Sequence, residues 1–393
     1  MNLAVDANLI GAARELGPII REHADEAERE RRPSKAVMDA LAEAGLQRMF
    51  TPRSLGGLEA DPVTYARVAE EIAGYDSVAG WALQVGNHVA WWCSRLPEEG
   101  VAEIYTEGPD TLIAGAFHPP RPAIEANGGY RITGQAPLAS NIHDADWLLL
   151  TGIVMDGGQP KTNGGEPELI QVILPANDVE IVDTWRALGM RGTDSNDVAV
   201  EDVYVPAWRT FRLGPDPELG PHYQGPLYKF PGIGAVETIF TPVMLAIGRQ
   251  AITEFRELAT KKTPLGAASA LRDRGMAQAT LGEAEAMLRS ARAFFYETLA
   301  EAWRRTEAGE PSTLEHRADL MLAGTHAANT VAKVTDMMHN LAGASAIYES
   351  NRLERHFRDA QTLRNHGFVS RSRYETVGQV YLGVQPEFPF VQL

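Results

Sequence analysis

Trp185-Arg186-Ala187-Leu188-Gly189-Met190-Arg191-Gly192-Thr193-Asp194-Ser195-Asn196-Asp197 runs directly into Val198-Ala199-Val200-Glu201-Asp202-Val203-Tyr204-Val205-Pro206. A glycine-rich polar turn followed by β-branched residues that stop at a proline describes a loop entering a strand. The same extended period holds on the N-terminal side of this segment. Asn127-Gly128-Gly129 separates two short segments with hairpin chemistry. Trp147–Val154 and Leu169–Leu174 read as strands, as do Val198–Val200 and Val203–Val205, with turns at Gly157-Gly158 and Asn163-Gly164-Gly165. The spacing predicts a β block over residues 113–228.

Helical periods lie on either side. Leu9, Ala12, Ala13, Leu16 and Ile19-Ile20 recur at helical spacing, as do Val37, Leu41 and Ala44 before Gly45, a C-terminal cap. Further helices are expected over Val63–Ile72 and Ser77–Trp92, which makes residues 1–112 an α-helical block. From residue 229 to 393 the chain is helical again. Ala284, Met287, Leu288, Ala291, Phe294, Phe295, Leu299 and Trp303 form a wide apolar stripe, and a second long helix is expected from Thr313 to Leu341. Long paired apolar helices point to a four-helix bundle that also packs against another subunit.

Composition narrows the function. A net charge of −16 lacks the basic face that nucleic acid or an anionic membrane needs. Cys93 is the single cysteine, which excludes an intrachain disulfide and a thiolate cluster and fits a cytoplasmic protein. The longest apolar stretch, Ile239–Ile247, contains Pro242 and is too short to span a bilayer. No His/Asp spacing suits a metal, and no Gly-x-Gly-x-x-Gly follows a strand.

The 185–206 segment closely resembles the middle-domain signature of the acyl-CoA dehydrogenase superfamily. Arg358-Asp359-Ala360-Gln361-Thr362-Leu363-Arg364-Asn365-His366, just after the helix ending Leu341-Ala342-Gly343-Ala344-Ser345-Ala346, resembles its C-terminal signature. The resemblance spans nearly the whole chain. It implies an α+β, mostly α fold: an N-terminal helical domain (1–112), a middle β-barrel or sandwich domain (113–228) and a C-terminal four-helix bundle (229–393). Dehydrogenases place a glutamate shortly after the Arg-Asp pair, where this chain has His366-Gly367. A histidine there marks the oxygen-using branch, the two-component flavin monooxygenases.

The resemblance also implies a set of site residues. His366 would serve as base toward the substrate or as partner of the oxygenated flavin, since imidazole exchanges protons near neutral pH. His88 would face the flavin and substrate pocket, with Trp92 one turn later on the same helical face. Ser140, within Leu138-Ala139-Ser140-Asn141, would hydrogen-bond the N5 side of the flavin; a hydroxyl both donates and accepts and so serves both redox states. Phe117 and His118 would belong to a second cradling loop. Lys262, with Ala344 and Ser345, would meet the cofactor phosphate across a dimer interface. Lys262 lacks the planar fork of arginine, and His339-Asn340-Leu341-Ala342-Gly343 replaces the family's Gln-x-x-Gly-Gly, so FMN and FAD are not distinguished.

The resemblance thus implies reduced FMN or FAD delivered by a separate reductase, O₂, and an aromatic or amine-bearing small molecule, on a homotetramer built as a dimer of dimers. The alternative is an FAD-dependent acyl-CoA dehydrogenase. Some members place their glutamate on the first helix of the C-terminal domain, close to Glu237.

Overall fold

The computed structural model describes residues 5–163, 165–213 and 218–392. Six helices open the chain: α1 (Ala7–Glu15), α2 (Gly17–Glu30), α3 (Lys35–Glu43), α4 (Pro62–Ala73), α5 (Ser77–Trp92) and α6 (Glu98–Ile104). The 9–20 period is split between α1 and α2, because Gly17-Pro18 starts a new helix. Their starts follow capping rules. Asp6, Asp61 and Asp76 each accept amide hydrogens from the first turn of the adjoining helix. All sixteen residues of α5 are buried, so it is the helix the rest of the molecule closes around.

The middle block is one mixed sheet built on β1 (Ile113–Ala126), β2 (Gly129–Ala139), β3 (Trp147–Asp156), β4 (Gln159–Pro160), β7 (Leu169–Pro175), β8 (Glu180–Val182), β9 (Asn196–Pro206) and β10 (Thr210–Phe211). A separate small ribbon pairs β5 (Thr162–Asn163) with β6 (Glu166–Pro167). The strand order is β10-β7-β3-β1-β2-β9-β8, with β4 on β3; β1 and β3 run parallel and the other pairs antiparallel. Asn127 and Gly128 take positive φ at the β1–β2 hairpin, as that turn requires. The two segments expected around 198–205 are one strand, kinked where Asp202 adopts positive φ and the register against β2 shifts. Of the expected Asn163-Gly164-Gly165 turn, Gly164 lies outside the described residues.

The chain then returns to helices: α7 (Gly232–Lys261), α8 (Gly275–Glu307), α9 (Leu314–Ala342), α10 (Arg352–Leu363) and α11 (Arg373–Tyr381). α7 continues through Pro242, and it is long and apolar enough to cross a membrane, yet 89% of its most apolar window is buried inside the protein. It is, like α5, a helix of the protein core. That core is shared: one apolar cluster joins Ile20, Leu41, Tyr65 and Trp91 to Phe255, Phe295 and Met338, whereas the sheet keeps a second cluster around Ile132, Leu148 and Val200.

The two sequence signatures meet physically. Met190 N–H donates to Asp359 Oδ1 at 2.6 Å, and Ser77 Oγ donates to Asp359 Oδ2 at 2.6 Å. Arg358 donates to Leu188 O (3.0 Å) and to Glu28 (2.8 Å), while Arg355 reaches Asp76 (2.8 Å) and Ala24 O (3.0 Å). Gly189 lies so close that a Cβ there would stand 2.3 Å from the Arg358 carbonyl carbon. The Arg-Asp pair therefore ties α2, α5, the 185–195 loop and α10 together.

Candidate active site

The clamp on α10 delivers the loop beyond it. His366 N–H bonds back to Leu363 O at 3.0 Å, and the half-buried imidazole enters an aromatic group. Its centroid lies 4.3 Å from Phe240 on α7, 5.9 Å from Phe368 and 6.4 Å from Trp81 on α5. Phe368 in turn meets Phe388 and Phe390, so the wall continues into the C-terminal segment. Removal from water pushes the imidazole pKa down to about 4. The ring is therefore neutral at physiological pH rather than poised near its midpoint. Nδ1 faces the Phe368 amide at 3.5 Å, and Nε2 has no hydrogen-bond partner among the described residues.

Ser140 joins this group through Trp81. It directly follows β2, and its hydroxyl accepts the indole N–H of Trp81 at 3.0 Å. The site-facing edge of the sheet is set by topology: the start of β1, the end of β2 and the start of β9 lie together because Ala139 pairs with Asn196. Leu138 and Asn141 flank Ser140 at positive φ; Leu138 is half exposed, and Asn141 is buried with its Oδ1 unpartnered among the described residues.

His88 is held differently. It is buried, Nδ1 donates to Gln84 O (3.1 Å) and Nε2 meets Thr238 Oγ1 (2.9 Å), while its ring sits edge-on to Phe50 and Tyr65. Burial lowers its pKa to about 4. Both nitrogens are engaged within the helical core, so the structure does not bring His88 to the His366 group.

Trp92 and Phe117 approach each other, with centroids 6.4 Å apart, and His118 beside them is exposed where the β1 register shifts. Trp92 is eleven residues beyond Trp81, about 16 Å along the helix. Lys262, Ala344 and Ser345 form a third group: Lys262 Nζ donates to Ser345 Oγ (2.8 Å) and to the carbonyl of Ala342. Lys262 is 22 residues beyond Phe240 on the α7 line, about 33 Å at helical rise. Within one chain this cluster is far from His366.

Glu237 is fully buried in α7. Among the described residues Oε1 has no partner and Oε2 has only Thr241 at 3.5 Å, and the carboxyl fills the space that a side chain on Gly324 would need. Desolvation pushes its pKa well above the carboxylate range, so it is a neutral acid inside the core. Two open cavities of about 330 and 430 Å³ lie elsewhere; charged residues line them, among them Arg21, Glu254 and Arg352 in the first and Arg53, Glu59 and Asp61 in the second. Neither suits an apolar aromatic guest.

Trp81, Phe240 and the residues behind Ser140 do not stand out in the sequence as site residues. The available signal for Trp81 was a lone large ring among the small residues opening α5.

Comparison with known proteins tests the assignment. Residues 12–99 match the acyl-CoA dehydrogenase N-terminal domain and residues 238–371 the acyl-CoA dehydrogenase C-terminal domain. An indole-3-acetate monooxygenase of Pseudomonas putida is 35% identical over 93% of this chain and 91% of its own length. The chain belongs to the acyl-CoA dehydrogenase superfamily, on its flavin-dependent monooxygenase side. The oxygenase subunit HsaA of a Rhodococcus jostii flavin-dependent monooxygenase is 28% identical over 89% of this chain and 91% of its own. XiaF from Streptomyces sp., solved with FADH2 and glycerol, superposes with a TM-score of 0.89 at 25% identity, over 98% of this chain and 97% of that one. The helix–sheet–helix order expected from the superfamily is the order observed, and the enzyme is an oxidoreductase of the monooxygenase type. The dehydrogenase alternative loses its support twice: in these relatives, and in Glu237, which is sealed from any substrate.

Proposed function

We propose that this monooxygenase takes reduced FMN or FAD from a separate reductase and oxygenates a small aromatic molecule, of indole or phenol type, between His366 and Ser140. The carrying observation is the neutral His366 ring, set among Trp81, Phe240 and Phe368 with Nε2 unpartnered among the described residues. Aromatic walls favour a flat apolar guest, and the acid of the Pseudomonas relative's name, indole-3-acetate, is of that class.

The residues fit a flavin ring on two observations: half-exposed Leu138 at positive φ offers an apolar face, and Ser140 beside it offers a polar atom. Bound reduced flavin supplies the two electrons with which O₂ is activated. The chain supplies the rest. Trp81, Phe240 and Phe368 exclude water, which would otherwise divert the oxygen to peroxide. His366 would orient the substrate's N–H or O–H and act as its base at Nε2 in the tautomer whose Nδ1 carries the ring hydrogen, which gives up the 3.5 Å contact with the Phe368 amide. Ser140 positions the ring, and Phe117, His118, Trp92 and Asn141 would border the same edge. His88, held by Thr238, would act from behind α5 by fixing the helix.

Lys262, Ala344 and Ser345 would serve the phosphate of a flavin in a neighbouring subunit, since they lie too far from their own Ser140. A homotetramer, in which dimers pair, satisfies this arrangement. The division into residues 1–112, 113–228 and 229–393, and a cytoplasmic setting around the buried thiol of Cys93, complete the reading.

The test is direct. Photoreduced FMN or FAD is mixed anaerobically with the protein and indole-3-acetate, indole or a phenol, and O₂ is then admitted. Oxygenated product in amounts matching the flavin consumed is expected. Quantitative release of peroxide with every aromatic tried, and turnover of an acyl-CoA instead, would overturn the proposal.

A further inference from the structure

Ser140 is the outer end of a continuous file of hydrogen bonds. Trp81 Nε1–H donates to Ser140 Oγ at 3.0 Å. Ser140 Oγ lies 2.7 Å from Ser195 Oγ, Ser195 Oγ lies 2.7 Å from Thr193 Oγ1, and Thr193 Oγ1 donates to Met190 O at 2.9 Å. Both ends are one-way, because an indole N–H only donates and a carbonyl only accepts. Between them, three hydroxyls supply three protons for three bonds. Every bond is made only when each hydroxyl donates toward Met190. The inner hydroxyls of Ser195 and Thr193 are buried, which removes water as their alternative partner and makes an unmade bond costly. The accepting end is itself held, since Asp359 fixes the Met190 amide, and the Met190 carbonyl also receives Trp185 Nε1–H at 3.0 Å and the Thr193 amide N–H at 3.1 Å. Ser140 is left with a lone pair for the site and no proton.

We propose that this file makes Ser140 an acceptor-only contact and thereby selects reduced over oxidised flavin, with Ser195 and Thr193 as the positioning residues that set the selectivity. The inference rests on the reading that the flavin ring lies against Ser140. Reduced flavin carries an N–H at N5, where oxidised flavin has a bare accepting nitrogen. An acceptor-only hydroxyl matches the first and meets the second lone pair to lone pair. To serve oxidised flavin, Ser140 must break its bond to Ser195. One neutral hydrogen bond lost in this way corresponds to a preference of about 5- to 10-fold.

Thr193→Val keeps the shape and removes both the acceptor and the proton at that position. The Ser195 proton then has only Ser140 to reach, Ser140 receives two bonds, and its own proton turns toward the site. Anaerobic titration with oxidised and with reduced FMN and FAD reads the result. Thr193→Val should tighten oxidised flavin and weaken reduced flavin, each by about 5- to 10-fold. Thr193→Ser, which preserves the file, should keep the wild-type ratio, and Ser195→Ala should tighten oxidised flavin alone. Parallel loss of both affinities in Thr193→Val, or an unchanged ratio in a variant with wild-type melting, overturns the proposal. Ser140→Ala separates the two layers: it should abolish the selectivity. Wild-type affinities for both states in that variant would mean that the ring lies elsewhere, and the site reading would fall with the inference.

Discussion

His366 combines two properties that single-residue reasoning treats as opposed. It sits in a loop, where histidines are usually solvated, yet its ring is desolvated enough to depress its pKa to about 4. The neutral form is the one that accepts a proton, and with a folded pKa below the usual 6.5 that form persists as pH falls through 6.5. The acidic limb of kcat/KM should therefore lie near pH 4 to 5; a limb at 6.5 in the free enzyme would mean that the ring is solvated. His366→Ala should lower product formation by about 100- to 10,000-fold while O₂ still oxidises the reduced flavin and leaves as hydrogen peroxide. Glu237→Gln serves as the control. The native carboxyl is already neutral, so the amide should keep most of the hydroxylating activity. An inert Glu237→Gln beside an active His366→Ala would reverse the roles.

Elements are held in place here by buried polar chemistry as much as by apolar packing. α10 carries the Arg-Asp pair, and through it α2, the start of α5 and the 185–195 loop share one network. Asp359 is buried, with burial raising its pKa and with Arg355, the Met190 amide and the Ser77 hydroxyl opposing that rise. Removing one partner from such a network typically costs about 3–5 kcal/mol. Asp359→Ala should lose that much in urea unfolding and should weaken flavin binding, because Met190, the terminus of the Ser140 file, loses its anchor. Gly189→Ala should be at least as damaging, since its Cβ would meet backbone that cannot yield. Gly367→Ala, with no described residue within 4 Å of the added carbon, should melt like wild type. Equal melting temperatures for Asp359→Ala and wild type would contradict this account.

At the scale of the molecule, one helix separates two clusters that the proposed flavin site would need together. α7 carries Phe240 at the aromatic site and ends beside Lys262, about 33 Å away. The α8 stripe gives little help in choosing an assembly, because Ala284, Leu288, Ala291, Phe295 and Leu299 are already buried inside the chain. The end of the molecule around Lys262 is more telling. Leu265, Met276, Ile347 and Tyr348 are strongly exposed there, an apolar surface of the kind that another subunit covers. Light scattering at micromolar concentration should give a tetramer, and Lys262→Ala should weaken reduced flavin about tenfold. Mixed oligomers of Lys262→Ala and Ser140→Ala chains should regain some native sites, because each supplies what the other lacks. A monomer that binds flavin normally would refute the shared site.

Local chemistry made much of this legible in the amino-acid sequence. Asn127-Gly128 demands its hairpin, helical periods mark α4, α5 and α9, and the two signatures name the superfamily and point to His366. Periodicity and turn chemistry are short-range properties, so a linear reading can recover them. The tertiary structure alone decided what stands opposite what. Trp81 and Ser140 are 59 residues apart, and nothing local links the indole to the hydroxyl. His88, in the same helix as Trp81, is turned into the core by Thr238, 150 residues away. The neutrality of His366 and Glu237 was equally hidden, because desolvation depends on every element that closes over a group. Only the packed chain sets that environment.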